Sequence, residues 1–184
     1  MARVLIPLPD HDFDVTEVAV PCKVLQDAGH ELTFATEESG ALPAADPLLL
    51  TGVLFGQLGA EPEPKSFYQK LIETPEFGQT IAWREVVPDR FDGLLLAGGH
   101  AQGMRQYLGS EVLQAKVADF WELRRPVAAI CHGVLILARA QKRGRSLLHD
   151  PQTTCLPTYP ERLASHSTPR QLGPHSPTYR SHAE

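Results

Sequence analysis

The sequence predicts one α/β domain of the doubly wound, flavodoxin-like kind, a parallel sheet with helices on both faces. Three observations predict it. Short, mainly apolar runs alternate with segments whose apolar residues recur every three or four positions, the pattern of buried strands joined by amphipathic crossover helices. A first strand, helix and strand follow one another within residues 2–36, the span of a right-handed βαβ unit. Two later apolar runs, 91–97 and 127–130, end abruptly in Gly98, Gly99 and His100 and in Cys131, His132 and Gly133. The second of these has the strand–turn–helix form of a nucleophile elbow, with cysteine as the nucleophile.

Residues 2–8 read as the first buried strand, closed by Pro7, Leu8 and Pro9 and by a polar turn at Asp10, His11 and Asp12. From 14 to 28, Val15, Val18, Ala19, Cys22 and Leu25 share one helical face, and Gly29 stands where a left-handed C-terminal cap belongs. Pro21 is expected to kink this helix or end its first turn. Leu32, Thr33 and Phe34 mark a second strand over 31–36. Residues 37–66, with many Pro, Gly and Ala, read as a long surface excursion holding a short helix or two, of the kind that borders sites. Residues 67–72 look helical, and 83–87 fit no single pattern. The strand over 91–97 leads to a helix over 110–123, capped by Ser110 with Glu111 in its first turn. The strand over 127–130 runs through the elbow into a helix over 134–141, and a last strand near 153–156 precedes 159–164. The domain is therefore placed at 1–164. Residues 165–184, rich in Ser, Pro, His and Arg, form a polar C-terminal tail that could not by itself make a packed element.

Composition removes several classes of function. At 184 residues the chain can bury one core without staples. A net charge of −5 argues against nucleic acid as a partner, because phosphate neutralisation needs clustered Lys and Arg. The short basic cluster Lys142, Arg143, Gly144 and Arg145 fits a cationic helix end and the turn after it. No apolar run is long enough to span a membrane, and the N-terminus goes straight into a strand without a signal-like apolar region, so a cytoplasmic location is expected. Three cysteines, at 22, 131 and 155, with no Cys-x-x-Cys pair, suggest free thiols rather than disulfides or a cysteine zinc site. Neither a metal nor a cofactor is expected.

In an open parallel sheet, ligands bind outside the carboxyl ends of the strands. Glu17, the Gly98-Gly99-His100 loop and the Cys131-His132 elbow all lie at or just beyond such ends and should converge. A thiol at an elbow faces the N-terminus of the next helix, whose N–H groups and dipole favour thiolate, so the Cys131 pKa is expected to fall. The backbone N–H groups of His132 and of Gly98 or Gly99 could donate to an oxyanion, and His132 could act as general acid or base. Plainer readings stand beside these. Cys131 could be a small buried hydrophobe. Glu17 could complete a capping box with Asp14. His132 could be an ordinary first-turn residue, and His100 an exposed loop residue. Cys22 and Cys155 are assigned to the core.

Three stretches, Glu-Val-Ala-Val-Pro at 17–21, Leu-Ala-Gly-Gly-His at 96–100 and Ala-Ile-Cys-His-Gly at 129–133, occur in the order found in the DJ-1/PfpI superfamily. The chain resembles that superfamily over 2–164, with its glutamine amidotransferase-like fold, and most closely its Hsp31-like and glyoxalase III-like branch. The resemblance implies that Glu17 hydrogen-bonds the reactive Cys131 and shuttles a proton. It implies that His132 matches the histidine that follows the cysteine in that branch, and that Glu161 orients His132 as the third triad member. Gly98, Gly99 and His100 would form the oxyanion and substrate loop. The resemblance is closest to the Hsp31-like branch rather than to the glutamine-hydrolysing relatives, which disfavours amidotransferase activity. Family members usually continue with a further strand and a closing helix, so one sheet edge is expected to be incomplete here.

The resemblance implies a cofactor-free, homodimeric, glutathione-independent glyoxalase, a lyase of the D-lactate dehydratase type that turns a small 2-oxoaldehyde into a 2-hydroxy acid. Two alternatives come from other classes. One is a redox-responsive or chaperone-like stress protein in which Cys131 is held as a sulfinate. The other is a cysteine hydrolase acting on peptides or amides.

Overall fold

The computed structural model describes residues 1–52 and 59–151. The strand expected near 153–156, residues 159–164, the tail, Cys155 and Glu161 lie outside them. β1 (Arg3–Pro7) enters the core at once, with Leu5 and Ile6 buried. The polar stretch after it is not an open turn, because a short strand, β2 (His11–Phe13), is carried there and buries Phe13. Asp14 then caps α1 (Val15–Asp27), its carboxylate accepting from the N–H groups of Thr16 and Glu17. Pro21 removes one helical N–H, yet the helix runs on to Asp27, since its apolar face stays seated with Val15, Val18, Ala19 and Cys22 buried. Gly29 takes the left-handed conformation expected of it, at φ +76°. The chain returns through β3 (Glu31–Thr36), as the sequence indicates.

The excursion from 37 contains β4 (Ala44–Ala45), which pairs with β2, then α2 (Pro47–Thr51) and the start of α3 (Pro62–Ile72). It is followed by α4 (Pro75–Gly78), β5 (Ile81–Ala82) and a 3₁₀ turn over Trp83–Glu85, which accounts for the mixed pattern there. β6 (Gly93–Leu96) leads to α5 (Met104–Gly109), a helix the sequence reading did not foresee, and then to α6 (Glu111–Glu122), capped by Ser110 as expected. β7 (Val127–Ala129) passes through a 3₁₀ turn, Cys131–Gly133, into α7 (Val134–Arg139). The basic cluster is not a helix end. It forms the turn of a hairpin, β8 (Gln141–Lys142) and β9 (Arg145–Ser146), with Arg143 at φ +52° and Gly144 at φ +76°, the paired left-handed residues that tight hairpins favour.

The central sheet is parallel throughout and ordered β5-β3-β1-β6-β7. Setting aside the two-residue edge strand β5, the order β3-β1-β6-β7 is that of the flavodoxin-like doubly wound fold. The winding reverses between β1 and β6, and right-handed crossovers running in opposite directions place α1 on one face and α6 on the other. The reversal opens a crevice beyond the carboxyl ends of β1 and β6, and the loops after β1, β6 and β7 all empty into it. The core is filled by Ile6, Phe34, Leu96, Trp83 and Phe120. Among the described residues β7 is an edge strand with Ala128 exposed, and an apolar groove of about 490 Å³ runs beside it, lined by Val24 and Leu25 of α1 and by Leu95, Pro126 and Val127. No helix of the described residues is long and apolar enough to cross a membrane.

Candidate active site

Cys131 sits two residues past the end of β7, and the intervening Ile130 still donates its N–H to the carbonyl of Leu96, 2.9 Å away. The chain must turn sharply there to enter α7, and Cys131 absorbs the turn in the left-handed region at φ +50°. For a residue with a side chain that conformation costs about 1–2 kcal/mol, and it aims the sulfur away from the sheet into the crevice. Gly133 makes the turn possible. A Cβ on it would lie 2.4 Å from the Leu96 carbonyl oxygen and 2.7 Å from that of Ala97, so the elbow can press against β6 only because this residue has none. Gly98 is equally constrained, since a Cβ would stand 2.7 Å from the His132 nitrogen and 2.9 Å from a Glu17 carboxylate oxygen. The two glycines let three segments meet almost backbone to backbone.

Glu17 reaches this point from the first turn of α1. Only half of the capping box forms. Asp14 accepts from the N–H groups of Thr16 at 2.8 Å and Glu17 at 3.1 Å, while the Glu17 carboxylate turns away from the helix end to accept from Gly98 N–H at 2.8 Å and from the Cys131 thiol. Two imidazoles complete the cluster. His132 Nδ1 lies 3.5 Å and His100 Nε2 3.9 Å from the sulfur, and the two rings meet edge to face with centroids 4.9 Å apart.

The electrostatics differ from expectation in one important respect. The Cys131 pKa does not fall. Although the residue is open to solvent on one side, desolvation of the sulfur and, next, the charge of Glu17 push the thiol up to about 12, against the pull of the His132 N–H. The helix behind it is only six residues long and enters through a 3₁₀ turn, too little aligned backbone to outweigh a carboxylate in contact. Glu17 is itself raised, first by burial and then by the charge of Asp14, with the Gly98 N–H and the Cys131 thiol acting in the opposite direction. Each group therefore opposes ionisation of the other, and the resting pair is a thiol hydrogen-bonded to a carboxylate that holds one proton between them.

The sequence matches the family model described as ThiJ/PfpI family-like over residues 8–182. The chain belongs to the ThiJ/PfpI family. This ThiJ/PfpI chain is 32% identical over 138 residues to a deglycase of Pyrococcus abyssi, covering 75% of its own length and 65% of the relative's. It is 30% identical over 133 residues to the deglycase PfpI of Pyrococcus furiosus, covering 72% and 63%. It thus spans less than two thirds of the length of either relative. Among solved structures, glyoxalase III of Candida albicans shares the fold at a TM-score of 0.65 and 18% identity, over 97% of this chain and 80% of that one.

The family fold brings Glu17, Gly98, His100, Cys131 and His132 to one point. Gly99 packs against the Asp12 and Asp14 backbone just behind it, and Glu161 lies outside the described residues. Gly98 N–H, a candidate oxyanion donor in the sequence, is spent on Glu17. Two residues of the site escaped the sequence reading. Asp14 acts on Glu17 by charge as well as by capping. Tyr107, on the unforeseen helix α5, is fully buried with a hydroxyl that makes no hydrogen bond among the described residues, and its pKa is raised by burial and then by Glu17. An aromatic in a short segment carries no local signal of that neighbourhood.

Proposed function

We propose that this protein is a cysteine-dependent, glutathione-independent glyoxalase acting on small 2-oxoaldehydes such as methylglyoxal. The observation that carries the reading is the thiol of Cys131 hydrogen-bonded to a half-buried carboxylate, with two imidazoles within 4 Å of the sulfur. At a pKa of about 12 the thiolate fraction near neutrality is only about 10⁻⁵, so attack requires the proton to leave as the sulfur adds. Glu17 accepts it. Its own raised pKa makes it a stronger base than an ordinary carboxylate, and contact with the thiol spares any diffusive step.

The sulfur adds to the aldehyde carbon, the carbonyl oxygen becomes the hydroxyl of a hemithioacetal, and the thiol proton is taken up in the process. Glu17 then moves the proton on that carbon to the neighbouring one through an enediol, which converts hemithioacetal into thioester and ketone into alcohol. His132 activates a water molecule for hydrolysis of the thioester, releasing the 2-hydroxy acid and restoring the thiol. One water is consumed and no electron acceptor is needed. A thiol held protonated at rest also reacts slowly with peroxide, which favours catalysis over a sensor role.

The test is lactate formation from methylglyoxal by the purified chain. Absence of turnover, or turnover unchanged in Cys131→Ala, defeats the reading. The deglycase relatives favour a second substrate form, the adduct that a 2-oxoaldehyde makes with an amine, which the solvent-open side of Cys131 could admit. Lactate release from preformed adducts faster than the adducts shed free aldehyde distinguishes it.

A further inference from the structure

We propose that His100, Cys131 and His132 form a binding site for a single zinc ion, which on binding takes the nucleophile out of action. The three ligand atoms lie within 4.8 Å of one another and come from two separate loops, after β6 and after β7. Zinc bound at about 2.3 Å from sulfur and about 2.05 Å from nitrogen in a tetrahedron requires a sulfur–nitrogen separation of about 3.6 Å. The observed separations are 3.5 Å to His132 Nδ1 and 3.9 Å to His100 Nε2, within a few tenths of an ångström of that value. The two nitrogens lie no more than 4.8 Å apart, against about 3.4 Å in a zinc tetrahedron, a gap that rotation of the imidazoles closes. The edge-to-face arrangement of the rings, 87° between planes, keeps the imidazoles from stacking and lets a nitrogen of each approach the same point.

The donor set also selects the ion. One thiolate and two imidazoles suit a borderline-soft cation that accepts a tetrahedral site, whereas Mg²⁺ and Ca²⁺ require oxygen ligands. Three protein ligands leave the fourth vertex open to water. Backbone strain at Cys131 and the adjacency of His132 fix two of the three ligands in one tight turn, so little side-chain freedom is lost on binding. Binding exchanges a proton for the metal, Cys–SH and Zn²⁺ giving Cys–S–Zn⁺ and H⁺.

Cysteine spacing in the sequence argued against a zinc site, and the tertiary structure supplies one by a different route, from residues 31 positions apart. Zinc binding stands on this geometry alone. Only its inhibitory consequence rests on the proposed thiol chemistry, and the experiment below reads binding without turnover.

The full chain, freed of metal by chelation, is titrated with Zn²⁺ against a chromophoric chelator and separately with Co²⁺. Expected are one ion per chain, a thiolate-to-cobalt charge-transfer band, and alkylation of Cys131 slowed at least tenfold by equimolar Zn²⁺. The band disappears in Cys131→Ser, and His100→Gln and His132→Gln each weaken Zn²⁺ binding at least tenfold. Near-ultraviolet circular dichroism identifies any variant that has not folded, and protection of Cys131 in the unaltered chain then decides by itself. Absence of stoichiometric binding, binding unchanged in a folded His100→Gln variant, or bound Zn²⁺ that leaves Cys131 alkylation unaffected each overturns the proposal. A chain that binds zinc in this way but forms no lactate overturns only the glyoxalase reading.

Discussion

Replacing Glu17 by glutamine should make Cys131 more acidic and the enzyme less active at the same time. In the native site the thiolate must form against a carboxylate in hydrogen-bond contact. Two like charges about 4 Å apart at an effective dielectric of about 20 repel by about 4 kcal/mol, or about three pKa units, which sets an upper limit. The thiol rises from 9.0 to about 12, with burial the larger cause and Glu17 the second. Glu17 raises the thiol both by its charge and by its hydrogen bond, and the glutamine amide can add a hydrogen bond to the thiolate that a carboxylate cannot. A fall of about one to two units is expected. Turnover of methylglyoxal should drop by about 10²–10⁴, the usual contribution of a general base. The assay follows iodoacetamide alkylation at the Cys131 peptide from pH 6 to 11, alongside lactate formation. A Cys131 pKa in Glu17→Gln equal to or above that of the native chain refutes the coupled-pair argument. Retained turnover refutes the role of Glu17 as base.

Three further outcomes follow from the same geometry. Asp14→Asn keeps an N-cap acceptor but removes the charge that raises Glu17, so the Glu17 pKa falls; because Glu17 works ionised, the acid limb of kcat/KM against pH should move to lower pH, and an unmoved limb contradicts the assignment. Gly133→Ala places a Cβ 2.4 Å from a backbone oxygen of β6, which cannot yield cheaply, so urea unfolding should show a loss of about 3 kcal/mol or more, or no folded protein. Cys131→Gly relieves about 1–2 kcal/mol of left-handed strain against a glycine entropy cost of about 0.5–1 kcal/mol, so it should match or exceed Cys131→Ala in thermal stability while both lack turnover; a less stable glycine variant removes the case for strain at the elbow.

Much of the fold was legible because buried strands and amphipathic helices are written in local periodicity. Residues 31–36 form β3 as read, Ser110 caps α6, and Gly29 takes its left-handed turn. The misreadings lie where tertiary contact overrides local preference. Pro21 was expected to disturb a helix that packing holds intact. Arg143 and Gly144 turn a hairpin because β8 and β9 find each other, and α5 is too short to carry a period.

The site divides in the same way. Which residues meet was determined by the sequence: an apolar strand running into Cys131 with Gly133 behind it, a second strand ending at Gly98, and a carboxylate one turn into the first helix all point to the carboxyl edge of a doubly wound sheet. How they behave once together was decided by the tertiary structure. An elbow sequence alone suggests an acidic thiol, because it reveals the helix that follows but neither its shortness nor the half-buried carboxylate opposite. Dipole, burial and charge act through distance and dielectric, and those belong to the folded arrangement rather than to the order of residues, so the sign of the Cys131 pKa shift and the approach of His100 to the sulfur emerge only when the loops after β6 and β7 are packed against α1.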